Sequence, residues 1–346
     1  MSAAIRTLSL GAGVQSTALV LLACEGRIKP FDAAIFADTG WEPQRVYDHL
    51  DRLTEYADAH GLPIVRVSTS NIRDDALDPA HRFVSLPTFT LGPCPTCIPH
   101  GHLGYVYDLP LPDYDGEGPS TYTGTCPKCR GTGEAQGMGR RQCTNEYKLK
   151  AVKRGTRDLL GYPHPQPIPR DVFADQAVGI SRDEIGRAKD SGVNYLRSYF
   201  PLLDMPGAAD GRTGWTRADC RRYLKAHGWG ATPRSACVGC PFKGNREWRE
   251  MRDNHPEEWA DAVAFDHALR AVPREDGIRE YLHASRVPLD EAPIDRVTGH
   301  EWRSRQTDVF GQIADARLEN GDPDGCSPWA CRSGEPVVAA EVPDGA

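Results

Sequence analysis

The sequence predicts an α/β fold: a parallel sheet with helices on both faces and a Cys-rich insertion. Three observations predict it. Apolar runs of strand length alternate with helix-period segments through residue 68. A Ser/Gly turn joins the first run to the first helix. Residues 71–140 then lose that periodicity and gather Gly, Pro, Thr and Cys.

In order, residues 5–10 (IRTLSL) read as a strand ending in the Gly-rich turn, and residues 16–25 as a helix. Residues 33–37 (AAIFA) read as a second buried strand, followed by the turn Asp38-Thr39-Gly40. Residues 45–60 carry helical spacing through Val46, Leu50, Leu53 and Tyr56, and residues 64–68 (IVRVS) form a third strand. After the irregular stretch the pattern resumes with a helix at about 146–160 and a strand at 175–179. A partly helical segment covers 215–227, and helical segments broken at Pro256 cover 245–271.

Apolar residues at 39% and charged residues at 26% fit an ordinary soluble globular chain, and the net charge of −7 argues against a globally basic nucleic-acid binder. The N-terminal apolar stretch, residues 18–24, is too short to span a bilayer and follows Ser/Gly rather than basic residues. The expectation is a cytoplasmic protein with no membrane contact. Eleven cysteines in a chain of this size, several in C-x-x-C pairs, point to metal or redox chemistry in a reducing compartment.

The segment Ser9-Leu10-Gly11-Ala12-Gly13-Val14-Gln15-Ser16-Thr17 ends the first strand and opens the first helix. Glycines there let backbone N–H groups wrap an anion, the helix N-terminus adds partial positive charge, and hydroxyls add hydrogen bonds. A strand–turn–helix junction without a ligand is the competing reading. The segment lacks G-K-[ST], and Ser16 breaks G-x-G-x-x-G, so neither of those nucleotide motifs applies.

This loop is similar to the PP-loop, S-x-S-G-G-x-D-S, of the PAPS reductase-like adenine nucleotide α-hydrolases and ATP pyrophosphatases. The resemblance continues in order. Phe36-Ala37-Asp38-Thr39-Gly40 looks like the family's D-T-G segment, and Arg141-Gln142-Cys143-Thr144 with Lys148 looks like R-x-C-[CT]-x-x-x-K. Gly179-Ile180-Ser181-Arg182-Asp183-Glu184 with Arg187 resembles G-I-R-x-x-E, and Pro201-Leu202 followed by Trp215–Asp219 resembles P-L…W-x-x-x-D. Ser235-Ala236-Cys237-Val238-Gly239-Cys240 resembles the closing C-x-x-C. Val14 and Gln15 depart from the Lys and Asp of PAPS reductases, and Asp324-Gly325-Cys326-Ser327-Pro328 departs from their Glu-Cys-Gly-x-His segment.

The resemblance implies that Ser9, Gly11, Gly13, Gln15, Ser16, Thr17 and Asp38 bind ATP or another adenine nucleotide with Mg²⁺. It places Cys143, Lys148, Arg182, Asp183 and Arg187 at the chemistry. Asp38 would hold Mg²⁺ or ribose, with a turn-forming role as the alternative. Arg182, Asp183 and Arg187 would touch phosphate or substrate, with a surface ion pair as the alternative.

Cys94-Pro-Thr-Cys97 and Cys126-Pro-Lys-Cys129 are paired knuckles able to complete a closed Cys₄ zinc shell. Zinc would give the insertion the fold its composition does not supply. His100 and His102 are plain loop histidines or substitute ligands. A second set, Cys143, Cys220, Cys237 and Cys240, matches a [4Fe–4S] shell, with structural zinc or a metal-free dithiol as alternatives. Cys220 falls in a helix and fits core packing equally, and Cys24 reads as a buried apolar residue. The basic run Arg140, Arg141, Lys148, Lys150, Lys153, Arg154 and Arg157 is a solvated helix face or a contact for nucleic acid.

The organisation expected is residues 1–87 and 141–245 as the two parts of the α/β domain, around a zinc-knuckle insertion at 88–140. A helical region at 246–319 and a mobile tail at 320–346 follow. The expected function is cleavage of ATP at the α-phosphate to adenylate a substrate for sulfur transfer, with tRNA or DNA and a sulfur-donor protein as partners. The alternatives are a thiol-dependent reductase of phosphoadenylyl or adenylyl sulfate, and a non-catalytic zinc and nucleic-acid binder with a degenerate loop.

Overall fold

The computed structural model describes residues 3–78, 80–81, 86–96, 105–110, 121–126, 128–271, 274–295 and 318–321. The strands in chain order are β1 (Ile5–Leu10), β2 (Ala33–Asp38), β3 (Ile64–Ser68), β4 (Phe89–Pro93) and β5 (Tyr105–Pro110). Then come β6 (Thr121–Thr125), β7 (Glu134–Met138), β8 (Ala174–Val178), β9 (Leu196–Tyr199) and β10 (Arg279–Tyr281). The α-helices are α1 (Val14–Cys24), α2 (Gln44–Ala59), α3 (Ile72–Leu77), α4 (Lys150–Leu159), α5 (Arg217–Ala226), α6 (Asn245–Asn254) and α7 (Pro256–Ala271). Among the described residues, no helix is long and apolar enough to cross a membrane.

The chain divides into two compact units: the described parts of residues 1–85 and 141–238 form one, and those of 86–140 and 239–322 the other. The first is built on a five-stranded sheet in the order β3-β2-β1-β8-β9, every neighbouring pair parallel. A fully parallel sheet must be covered on both faces, and β2 shows how. Its side chains alternate: Ala34 and Phe36 join the cluster that packs α1, α2 and α5, while Ile35 and Ala37 meet Ala151 and Val152 of α4. The α/β class with flanking helices is therefore the observed one.

Two glycines permit close packing here. A Cβ on Gly155 of α4 would lie 2.9 Å from Val67 Cγ1, so this helix can sit on the sheet only with no side chain at that position. A Cβ on Gly179, just after β8, would lie 3.0 Å from the Ser16 backbone nitrogen and 3.1 Å from Gln15 Cβ.

The second unit contains an antiparallel sheet in the order β10-β4-β7 and an antiparallel β5–β6 hairpin. Its organising polar group is Asp266 of α7, fully buried. Asp266 accepts hydrogen bonds from the backbone N–H of Leu282 at 2.8 Å and of Leu289 at 2.9 Å, and from Arg270 at 2.7 Å. These bonds fix the loop after β10 against α7. Arg286 extends the same tie by donating to the Thr90 and Gly137 carbonyls of β4 and β7.

The structure adds strands where the sequence offers no pattern. β4, β7 and β10 are short and carry Gly, Pro, Thr or charged residues, so their strand state comes from pairing rather than propensity. β9 likewise has little apolar signal and is set by its partner β8. The tail, with Cys326 and Cys331, lies outside the described residues except for 320–321.

Adding a methyl group at Gly179 pushes on helix backbone rather than on a movable side chain. Gly179→Ala is expected to cost about 1–3 kcal/mol, read as a lowered urea midpoint in equilibrium unfolding.

Candidate functional site

In the first unit the chain leaves β1 toward β2 on one side, and β8 occupies the other. In open parallel sheets the crevice beyond the strand C-termini at such a switch point is where ligands bind. Residues 11–13 follow β1 and residues 179–181 follow β8, so two strand-end turns border this crevice. Ala12 takes a left-handed φ of 51°, and Gly13 caps α1. The first-turn N–H groups of a helix lack intrahelical partners and carry the positive end of its dipole.

The side chains of the loop divide by task. Ser16 Oγ accepts from the Gly13 N–H and donates to the Gly13 carbonyl, both at 3.2 Å, and so holds the turn closed. Thr17 is fully buried and bonds His49 Nε2 at 3.0 Å, beneath the loop. Gln15 donates to Glu184 Oε1 at 3.1 Å and lies 3.4 Å from Ser181 Oγ, tying α1 to the turn after β8. Ser9 is 3% exposed, and its Oγ has no hydrogen-bond partner among the described residues.

Beyond β8, Asp183 accepts the Arg217 backbone N–H at 3.1 and 3.2 Å, at the start of α5. Glu184 pairs with Arg187 at 3.2 Å and Arg217 at 3.9 Å. Arg182 makes a two-pronged pair with Asp210. Burial first, then the neighbouring Arg221 and Arg234 charges, lower the Arg217 guanidinium below its ordinary pKa, against the opposing pull of Glu184 and Asp183. Arg187 and Arg217 thus share Glu184, and the Arg221 and Arg234 charges act on Arg217.

At the end of β2, Asp38 Oδ1 accepts from the Gly40 N–H at 2.8 Å and the Tyr47 hydroxyl at 2.9 Å, which orient its carboxylate. Beside it lies a buried polar group. Lys148 Nζ sits 3.5 Å from Glu42 Oε1, their side chains 6% and 1% exposed. Thr39 Oγ1 donates to the same carboxylate at 3.1 Å and lies 3.3 Å from Cys237 Sγ. The Cys237 thiol is 3.7 Å from Glu42 Oε1. Lys148 projects from a π-helical turn, Thr144–Leu149, that precedes α4, and Cys143 caps that turn half-buried.

Cys220 stands apart from this group. It is fully buried in the apolar core of α1, α2 and α5, and burial together with Asp183, Asp219 and Glu184 pushes its thiol up to about 12. Cys143, Cys220 and Cys237 form no set of three ligand atoms within reach of one ion, and Cys240 belongs to the second unit.

The second unit does assemble a metal-type donor set. Cys94, Cys126 and Cys129 are buried with their sulfurs within 4.8 Å of one another, and Cys94 and Cys126 Sγ are 3.9 Å apart. Thiolates sharing a tetrahedral zinc at 2.3 Å would be about 3.8 Å apart. Arg130, Gly131 and Gly133 all have positive φ, and Arg130 N–H bonds the Cys126 carbonyl at 2.7 Å, so the chain turns tightly behind the sulfurs. This buried cluster can hold a metal ion. Cys97, His100 and His102 lie outside the described residues.

Glu42, Arg217, Arg234 and Ser235 join these groups without any motif that marks them as site residues. Their association depends on segments far apart in the chain, and no local pattern announces it. No protein-family model matches this chain, and no curated protein matches it.

The buried cluster predicts that protein purified without chelator retains a thiolate-bound ion, and that Cys126→Ser lowers both metal content by elemental analysis and the melting temperature. Burial, aided by Arg52 for His49, holds His49 and His283 down to about 4. Both stay neutral in the folded chain, so the unfolded chain takes up protons first as pH falls. Stability is full above the ordinary imidazole value of 6.5 and declines toward pH 4. The double variant His49→Gln, His283→Gln is expected to flatten that decline, measured by urea unfolding from about pH 7 to about pH 4.5.

Proposed function

We propose that the first unit is a PP-loop nucleotide site that cleaves ATP at the α-phosphate and adenylates a substrate for sulfur transfer. The observation that carries this reading is the meeting of the 11–17 loop and the 179–184 turn at the sheet's switch point. The order of the sequence motifs along the chain supports it.

In this reading, backbone N–H groups of the loop and the α1 N-terminus bind phosphate oxygens, and Ser9 adds its hydroxyl. Gln15 and Thr17 hold the loop in shape rather than contacting the nucleotide with their side chains. Mg²⁺ commonly takes one or two carboxylates plus substrate phosphates, and Asp38, oriented by two donors, fits that role. The ion would neutralise phosphate charge. An acceptor oxygen attacks the α-phosphorus and pyrophosphate leaves. The donor protein's persulfide passes its outer sulfur to a thiol of this chain, releasing the donor thiol. That persulfide attacks the activated carbon, and AMP departs with the oxygen. A donor-protein thiol then cleaves the S–S bond, leaving the sulfur on the product and a disulfide behind.

Cys237, beside Thr39 and the Lys148–Glu42 pair, is the thiol of the first unit best placed to relay that sulfur. Cys143, Cys220 and Cys237 offer no set of three sulfurs close enough to share a single metal ion. In the second unit the buried thiol set fits Zn²⁺ in a structural role. tRNA or DNA is the acceptor class in this reading, with the basic face of α4 as its contact. The thiol at Cys237, beside Thr39 and Glu42, also favours a second reading. A thiolate there would attack the sulfur of an adenylyl sulfate, release the nucleotide, and yield sulfite when a second thiol forms a disulfide.

The deciding measurement is pyrophosphate release from ATP against sulfite release from phosphoadenylyl sulfate with a dithiol donor. Pyrophosphate release that falls about 10²-fold in Ser16→Ala and in Asp38→Ala supports the first reading. Release unchanged in both removes the assigned site, and sulfite without pyrophosphate favours the reductase.

A further inference from the structure

The loop lacks the lysine that related phosphate loops carry, since Val14 stands in its place, yet the crevice is not poor in positive charge. Ser235 reaches it from the segment before Cys237. Its backbone nitrogen and Cβ lie 3.9 Å from where a Gly13 Cβ would stand. Ser235 is 9% exposed, and its Oγ has no hydrogen-bond partner among the described residues. Ser9, on the strand leading into the loop, is buried and likewise unpartnered. A buried hydroxyl without a partner is costly, and the Ser235 hydroxyl beside the Gly13 turn points to a ligand that supplies acceptor oxygens.

The charge comes from neighbouring residues. Arg234 precedes Ser235 and acts on Arg217, as does Arg221 from the same helix, α5. Arg221 and Lys225 also line a cavity of about 160 Å³ that has Val14, Trp229 and Thr232 in its wall. The pocket opens beside the first residue of α1 and admits a phosphate-sized group. The Trp229 ring carries the Arg52 guanidinium at 4.0 Å and makes T-shaped contacts with His49 and Tyr56.

We propose that Ser235, with Arg234 of the same segment and Arg221 of α5, forms an anion subsite beside the loop that holds the outer phosphates of a polyphosphate. These groups replace in trans the charge missing at Val14. The proposal rests on the nucleotide reading for the identity of the ligand, but the subsite is defined by its phosphate chemistry alone.

The test titrates the full chain calorimetrically with inorganic pyrophosphate, ATP and AMP, comparing wild type with Ser235→Ala and with Arg221→Gln. Arg221 is exposed, so its variant keeps the fold even if Ser235→Ala does not. Wild type is expected to bind pyrophosphate, and each variant to lose about tenfold in pyrophosphate and ATP affinity while AMP binding changes little. Pyrophosphate that fails to bind wild type, or binds Arg221→Gln unchanged, overturns the subsite. ATP binding with an unaltered ATP-to-AMP ratio in the variants leaves the nucleotide reading standing and removes the subsite. Pyrophosphate binding that depends on Arg221, with neither nucleotide bound, does the reverse.

Discussion

The crevice depends on how near the end of β8 comes to the first turn of α1. At Gly179 the two backbones approach closely enough to leave no room for a side chain, and Gln15 then spans the gap to Glu184. Glu184 gathers Arg187 and Arg217, while its neighbour Asp183 holds the start of α5. One steric constraint therefore sets the relative position of a helix N-terminus, a strand-end turn and a group of guanidiniums. In a chain of net charge −7, Arg187 and Arg217 meet Glu184 here because those elements are locked together.

The Lys148–Glu42 pair is a second constraint of a different kind. Removing two charges from water is costly, and the cost is offset here by short-range attraction and by the Thr39 hydroxyl on the same carboxylate. Losing either partner would strand the other. The pair thus resists rearrangement of the π-helical turn that carries Lys148 and of the segment after β2. It holds the Cys237 thiol in a polar setting, unlike Cys220, whose surroundings are apolar.

Much of the first unit was legible because its signals are local. β1, α1, β2, α2 and β3 alternate along the chain with strand and helix periods, and the structure places each within a residue or two of the expected bounds. β4, β7, β9 and β10 were not legible, because Gly-, Thr- and charge-bearing strands acquire their state from partners distant in sequence. At the loop, the residue types were legible but their directions were not: Thr17 turns inward to His49, and Gln15 crosses to Glu184. Cys220 could have been read from its helix, since it falls with Tyr223 and Leu224 on the buried stripe of α5.

The pairing of β1 with β8 joins positions 169 residues apart, as the bond from Gln176 to Thr7 shows. During synthesis β1, β2 and β3 emerge together and can pair early, whereas the other edge of β1 must wait for the whole intervening stretch to be made. Until then the central strand of the finished sheet is an open edge, able to pair wrongly with another chain. Closing a long loop costs entropy that grows only slowly with length, and a compact, thiol-rich stretch within it shortens the flexible span. The order in which this protein becomes safe from aggregation is thus written into its connectivity, with the late arrival of β8 as the step that retires the exposed edge.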